Sequence, residues 1–131
     1  MPAQVSSDVV ERLLAEAHSA HPQECCGILL GGGDAITAIR PARNVHPEPA
    51  RRFEIDPQAL VDAYREAREG GPQVLGYYHS HPNGVAEPSA TDRSLAAGDG
   101  AIWAIIAAER ISFWRSGDAG FEALPYEVAP R

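Results

Sequence analysis

The stretch His79-Ser80-His81-Pro82-Asn83-Gly84-Val85-Ala86-Glu87-Pro88-Ser89-Ala90-Thr91-Asp92 is the part of the chain around which the rest is organised. It follows Val74-Leu75-Gly76-Tyr77-Tyr78, an apolar run that predicts a strand. On an extended backbone, residues i and i+2 point to one face, so His79 and His81 present both imidazoles to a single cation. Pro82 biases His81 toward an extended conformation, which favours that geometry. Asp92 stands three positions into a sequence that reads as a helix start from Ser89. Two neutral imidazoles and a carboxylate suit zinc, and three protein ligands leave a fourth position for water. That pattern is catalytic rather than structural.

Upstream, Asp8 followed three residues later by Glu11 predicts a capping box, with Val9, Val10, Leu13, Leu14 and Ala17 on one apolar face. This first helix is expected to end before Pro22. Glu24-Cys25-Cys26-Gly27-Ile28-Leu29-Leu30, closed by Gly31-Gly32-Gly33, predicts a buried strand and a turn, with 36–39 as its hairpin partner. Residues 41–52 hold three prolines and an asparagine and read as a loop. Phe53-Glu54-Ile55 alternates like a short strand. Asp56-Pro57 then supplies an N-cap and a first-turn proline to a second helix, whose inward face is Leu60, Val61, Tyr64 and Ala67, stopped by Gly70-Gly71-Pro72.

A third, short helix runs from Ser89 to about Ala97, where Gly98 ends it. Residues 101–107 and 111–115 read as strands joined by Ala108-Glu109-Arg110. Residues 121–128 read as an edge strand, a reading that Pro125 weakens. Helices interleaved with strands and hairpins predict an α/β fold: a single layered domain over residues 1–131, with a mixed, curved β-sheet flanked by helices.

At 131 residues, 44% hydrophobic and 22% charged, the composition is that of one globular domain. A formal net charge of −7 argues against a nucleic-acid backbone or an anionic membrane as the main partner. All eleven basic residues are arginine, so no lysine side chain here could accept an isopeptide-linked modifier. The adjacent Cys25 and Cys26 do not easily satisfy ordinary disulfide geometry, which argues against a stapled secreted scaffold. No basic segment followed by an apolar stretch opens the chain, and no run reaches membrane-spanning length. The expected location is cytoplasmic.

Each piece of the opening stretch has a structural reading of its own. A His-x-His pair occurs on many surfaces. Asp92 could be a first-turn acid favoured by the helix dipole, and Ser89 an ordinary N-cap. Taken together with Glu24 upstream, His79, His81, Pro82, Ser89 and Asp92 resemble the full signature of the JAMM (MPN-plus) metalloproteases. The element order resembles the prokaryotic branch of that family over residues 5–115.

The resemblance implies a cytidine-deaminase-like sheet and helices, with Zn2+ held by His79, His81 and Asp92 and water as the fourth ligand. Glu24 would take the proton of that water and pass it to the leaving amine. Ser89 would donate a hydrogen bond to the tetrahedral oxyanion, in competition with its capping role. The implied substrate is an amide bond after the C-terminal Gly-Gly of a ubiquitin-like or sulfur-carrier protein, a carrier–cysteine adduct for example. The short loops favour small sulfur carriers over polyubiquitin. An extended carrier tail would add to an exposed strand, with 84–87 as a wall or flap of the groove.

Two other readings are a non-catalytic scaffold on the same fold and a metallopeptidase acting on cell-wall or phage-tail peptides. The complete set of polar residues disfavours the first, and the missing secretion signal disfavours the second. Monomer and homodimer both remain open. Cys25 and Cys26 sit in a buried-strand pattern and read as packing residues rather than nucleophiles. His18 and His21 fall near the end of the first helix, where imidazole is favourable for its own reasons. His46 lies in the proline-rich loop and reads as exposed. The glycine triplet is a turn without a phosphate-loop pattern. Trp103 and Trp114 read as core or sheet-face residues.

Overall fold

A computed structural model describes residues 2–130. In chain order the elements are β1 (Ala3–Ser6), α1 (Ser7–Ala20), β2 (Cys26–Gly32), β3 (Ala35–Ala42), α2 (Pro57–Arg68), β4 (Gln73–Ser80), α3 (Ala90–Leu95), β5 (Ile102–Ala107), β6 (Arg110–Gly117), β7 (Gly120–Ala123) and β8 (Tyr126–Ala129). The strands form one sheet in the order β7-β6-β5-β4-β2-β3-β1-β8. It is mixed: β2 runs antiparallel to β3 and β4, whereas β4 is parallel to β5 and β1 is parallel to β3 and β8.

The sheet separates two apolar clusters because side chains alternate along each strand. On one face, Val9 and Leu13 of α1 pack with Leu29, Ile36, Tyr78 and Phe113. On the other, Ala63 of α2 packs with Ile28 and Leu30, against half-buried Val74 and Tyr77. β2 therefore reads as a continuous apolar run because it is covered on both sides. Gly76 lies where β4 and β5 approach closely; a Cβ there would run into the Ile102 carbonyl.

Several boundaries differ from expectation. The N-cap of α1 is Ser6, whose hydroxyl accepts from Val9 N, so Asp8 and Glu11 lie inside the helix. On α2 the buried residue is Ala63, while Val61 and Tyr64 are exposed at 51% and 42% and form no inward face. The Asp56 cap and Pro57 start hold as expected. Phe53-Glu54-Ile55 contributes one bridge, Asn44 to Ile55, rather than a strand.

The expected edge strand over 121–128 is two strands. Leu124 and Pro125 separate β7 from β8, which occupy opposite ends of the strand order. Pro125 has no N–H to continue a ladder, and its carbonyl instead accepts from Ala3 N at 2.9 Å. The sheet thus curls until its two edges are joined by that short connection. Among the described residues, no helix is long and apolar enough to cross a membrane.

Candidate metal centre and active site

The register of the sheet assembles the site. Cys26 of β2 pairs with His79 of β4. Extending that pairing sets Glu24 beside His81, and alternation turns both toward the α2 side of the sheet. Ser80, between the two histidines, points the other way. Its hydroxyl accepts from Cys25 N at 2.8 Å, and its own N–H donates to Cys25 O at 3.1 Å. These bonds fix the residue next to Glu24 against the histidine strand.

Asp92 arrives on α3. Ser89 Oγ accepts from Asp92 N at 3.0 Å, and Asp92 Oδ2 accepts from Ser89 N at 2.8 Å, a reciprocal capping box. The same carboxylate reaches both imidazoles: Oδ1 is 3.1 Å from His79 Nε2, and Oδ2 is 3.1 Å from His81 Nε2. The two Nε2 atoms are 3.0 Å apart. His79, His81 and Asp92 are 0%, 8% and 3% exposed, so this convergence is buried. All three ligand atoms lie within 4.8 Å of one another.

The donor chemistry fits a divalent cation. His81 donates Nδ1–H to the Val85 carbonyl at 2.7 Å, which leaves the Nε2 lone pair facing Asp92 and His79. Burial lowers the pKa of His79 despite the opposing pull of Asp92, and so favours neutral imidazole. For His81, burial acts in the same sense, but the bonds to Asp92 and Val85 O outweigh it and raise the pKa. Burial would push Asp92 up; the two imidazoles and the Ser89 amide overcome it and hold the carboxyl well below the usual range. Two imidazoles and a carboxylate with an open side make a nitrogen–oxygen site suited to zinc or a similar ion.

Around these ligands lies a cleft lined by Glu24, Arg52, Phe53, His81, Ser89 and Asp92. Glu24 is 7% exposed. Burial raises its carboxyl to about 7, with His81 and Arg52 pulling it down and Asp92 pushing it up. A carboxylate in that range can accept and return a proton near neutrality. Ser89 lies at the exposed rim, and because its oxygen serves the cap as an acceptor, its hydroxyl hydrogen stays available for donation. Capping uses the oxygen and donation would use the hydrogen, so the two roles fall on different atoms of one hydroxyl.

Sequence reasoning did not assign Phe53 or Trp103 to the site. The Phe53 ring stacks on His79 with centroids 4.2 Å apart and planes 16° apart, and Trp103 meets the same imidazole edge-on at 5.8 Å. Among the described residues the buried Nδ1 of His79 has no hydrogen-bond partner, so aromatic contacts, together with Asp92 at Nε2, orient this ring. An apolar cleft lined by Phe53, Ile55, Leu60, Tyr77, Leu95 and Trp103 continues from the site.

The remaining candidates separate. His18 and His21 are exposed and line a recess behind His81 and Pro82. His46 is half-buried in the apolar cleft wall, where its Nδ1 accepts from Glu48 N at 2.9 Å. Cys25 and Cys26 are buried free thiols, pushed by burial up to about 11 and about 12. Segment 84–87 is tied down at Val85 O and at Ala86 O, which accepts from Ser112 Oγ at 2.8 Å. β4 is an internal strand, flanked by β2 and β5, so a substrate tail cannot add beside the histidines as a new strand of the sheet.

The family model for prokaryotic homologs of the JAB domain matches residues 6–117. The desampylase of Haloferax volcanii is 36% identical, over 77% of this chain and 77% of that protein. The CysO-cysteine peptidase of Mycobacterium tuberculosis is 29% identical, over 78% of this chain and 70% of that protein. A protein of Desulfitobacterium hafniense solved in solution matches with a TM-score of 0.84 and 28% identity, covering 98% of this chain and 94% of that one. The chain belongs to the prokaryotic JAB family, within the JAMM metallopeptidases that its motif resembles. It is a hydrolase of that type.

Proposed function

We propose that residues 1–131 form one catalytic domain that hydrolyses the amide bond after the C-terminal Gly-Gly of a ubiquitin-like or sulfur-carrier protein. His79, His81 and Asp92 would hold Zn2+. When bound, zinc would acidify a water and polarise the scissile carbonyl. Glu24 accepts the proton of the attacking water and delivers it to the departing amine, a shuttle suited to a carboxyl raised to about 7. Ser89 donates its hydroxyl hydrogen to the carbonyl oxygen as negative charge develops there. The apolar cleft holds the acyl side of the substrate and shields that charge from water.

The observation that carries this reading is the convergence of three buried ligand atoms in one cleft with a buried, raised glutamate. The relatives support the bond type, since one is named a CysO-cysteine peptidase and another a desampylase. The test is incubation of the zinc-loaded protein with sulfur carriers extended beyond Gly-Gly by cysteine or by a lysine-linked protein, read by mass. Release of carriers ending at Gly-Gly is expected. Carriers left intact in every form would overturn the reading.

A further inference from the structure

Asn44 has no place in the signature, yet its side-chain amide is saturated by the backbone around the site. Nδ2 donates to Glu24 O at 3.0 Å, to Arg52 O at 3.0 Å and, more weakly, to Pro49 O at 3.4 Å. Oδ1 accepts from Glu54 N at 3.0 Å and His46 N at 3.1 Å. An asparagine amide offers two N–H donors and two lone pairs, so its capacity is used in full. Glu24 N in turn donates to Pro49 O at 2.7 Å, closing the loop back onto the residue that leads into β2.

The segment held this way carries two side chains that face the site. Phe53 is the ring stacked on His79, whose Nδ1 has no hydrogen bond to orient it. The Arg52 guanidinium donates to Thr91 Oγ1 at 2.7 Å, on the helix that brings Asp92, and it acts on the charge of Glu24. We propose that Asn44 is a positioning residue for the hydrolysis: its one amide holds the backbone of Glu24 and the segment bearing Arg52 and Phe53 in a single frame. This rests on the hydrolase reading above. Alanine removes all five bonds of the Asn44 side chain and leaves only backbone bonds, Glu24 N to Pro49 O among them. Aspartate keeps the acceptor for His46 and Glu54 but loses both donors.

The first measurement needs no substrate: backbone hydrogen exchange in the parent, Asn44→Ala and Asn44→Asp proteins. Exchange at the Glu24 and Glu54 amides should quicken more than about tenfold in Asn44→Ala while β5 amides keep their protection. Asn44→Asp should restore the Glu54 amide but not Glu24. On an extended carrier, both variants should lose roughly 10- to 100-fold in kcat with KM within about threefold of the parent, at unchanged zinc content. Unchanged exchange, a kcat within about twofold of the parent, or an effect confined to KM overturns the proposal. Failure of both variants to fold or to hold metal also overturns it, by making Asn44 structural. If the parent itself leaves every carrier intact, the functional reading fails, while the exchange data still decide whether Asn44 holds the frame.

Discussion

The Val85 carbonyl accepts from His81 Nδ1 at 2.7 Å, so a residue four positions along the chain sets which nitrogen of a candidate ligand faces the site. Among the described residues the His79 Nδ1 has no such partner, and Phe53 and Trp103 pack against this ring. Asp92 meets both rings at Nε2, but at Nδ1 they differ: His81 is fixed by the Val85 carbonyl, whereas His79 is packed between Phe53 and Trp103.

Removing either kind of ligand should release the metal. His79→Ala and Asp92→Ala proteins are expected to carry far less zinc than the parent by elemental analysis after dialysis. Full zinc retention by either variant would sink the ligand assignment.

Glu24→Gln should keep zinc and the fold but lose roughly 10²- to 10⁴-fold in kcat, since it keeps shape and removes the proton acceptor. Turnover near that of the parent would reject Glu24 as the base.

At Ser89, two substitutions separate capping from donation. Ser89→Ala should cost about 1 kcal/mol of stability through the lost cap, whereas Ser89→Gly should cost only a few tenths. Both remove the hydroxyl hydrogen, so both should lower kcat about 10²-fold. Parental kcat in Ser89→Gly, measured alongside thermal melts, would leave Ser89 with the cap alone.

Glu24 also makes a prediction about stability and pH in the metal-free protein. Its folded pKa is about 7 against an ordinary value of 4.5, so between those values the folded state binds more protons than the unfolded. Stability from this group is present below the unfolded value and is lost as pH rises through about 7, a loss on the order of 3 kcal/mol. Glu24→Gln should therefore stabilise the chelator-treated protein at pH 8 and have little effect at pH 4.5. Equal melting shifts at both pH values would contradict it.

The thiols of Cys25 and Cys26 are buried and pushed up to about 11 and about 12. At pH 8 the native protein should react negligibly with a chromogenic thiol reagent, and both cysteines should react on unfolding in denaturant. Rapid labelling of the folded protein would show that β2 opens locally.

The features legible in the sequence were local. His79 and His81 share a face because a strand alternates, and Ser89 with Asp92 makes a cap because a helix starts there. Glu24 was found through the family pattern, because its pairing depends on the β2–β4 register, which composition and periodicity do not encode. Asn44 and Phe53 were not assigned to the site: their partners lie across the loop or on another strand, and an isolated Asn in a proline-rich segment reads as a turn residue. The division of 121–128 into β7 and β8 was hidden for a related reason. Pro125 signalled a weak strand, but the curl that brings the sheet's edges together is a property of the whole sheet.

Asp92 serves two equilibria at once: it closes the capping box of a six-residue helix, and it faces the two imidazoles. A helix that short does not persist on propensity alone. Its capping box and its packing, rather than its length, hold α3 in place, and the same carboxylate faces the candidate ligands. α3 also supplies Thr91 and Leu95 to the apolar cleft. One short helix therefore carries both a candidate metal ligand and part of the cleft wall, so a substitution that disturbs its cap is felt at both.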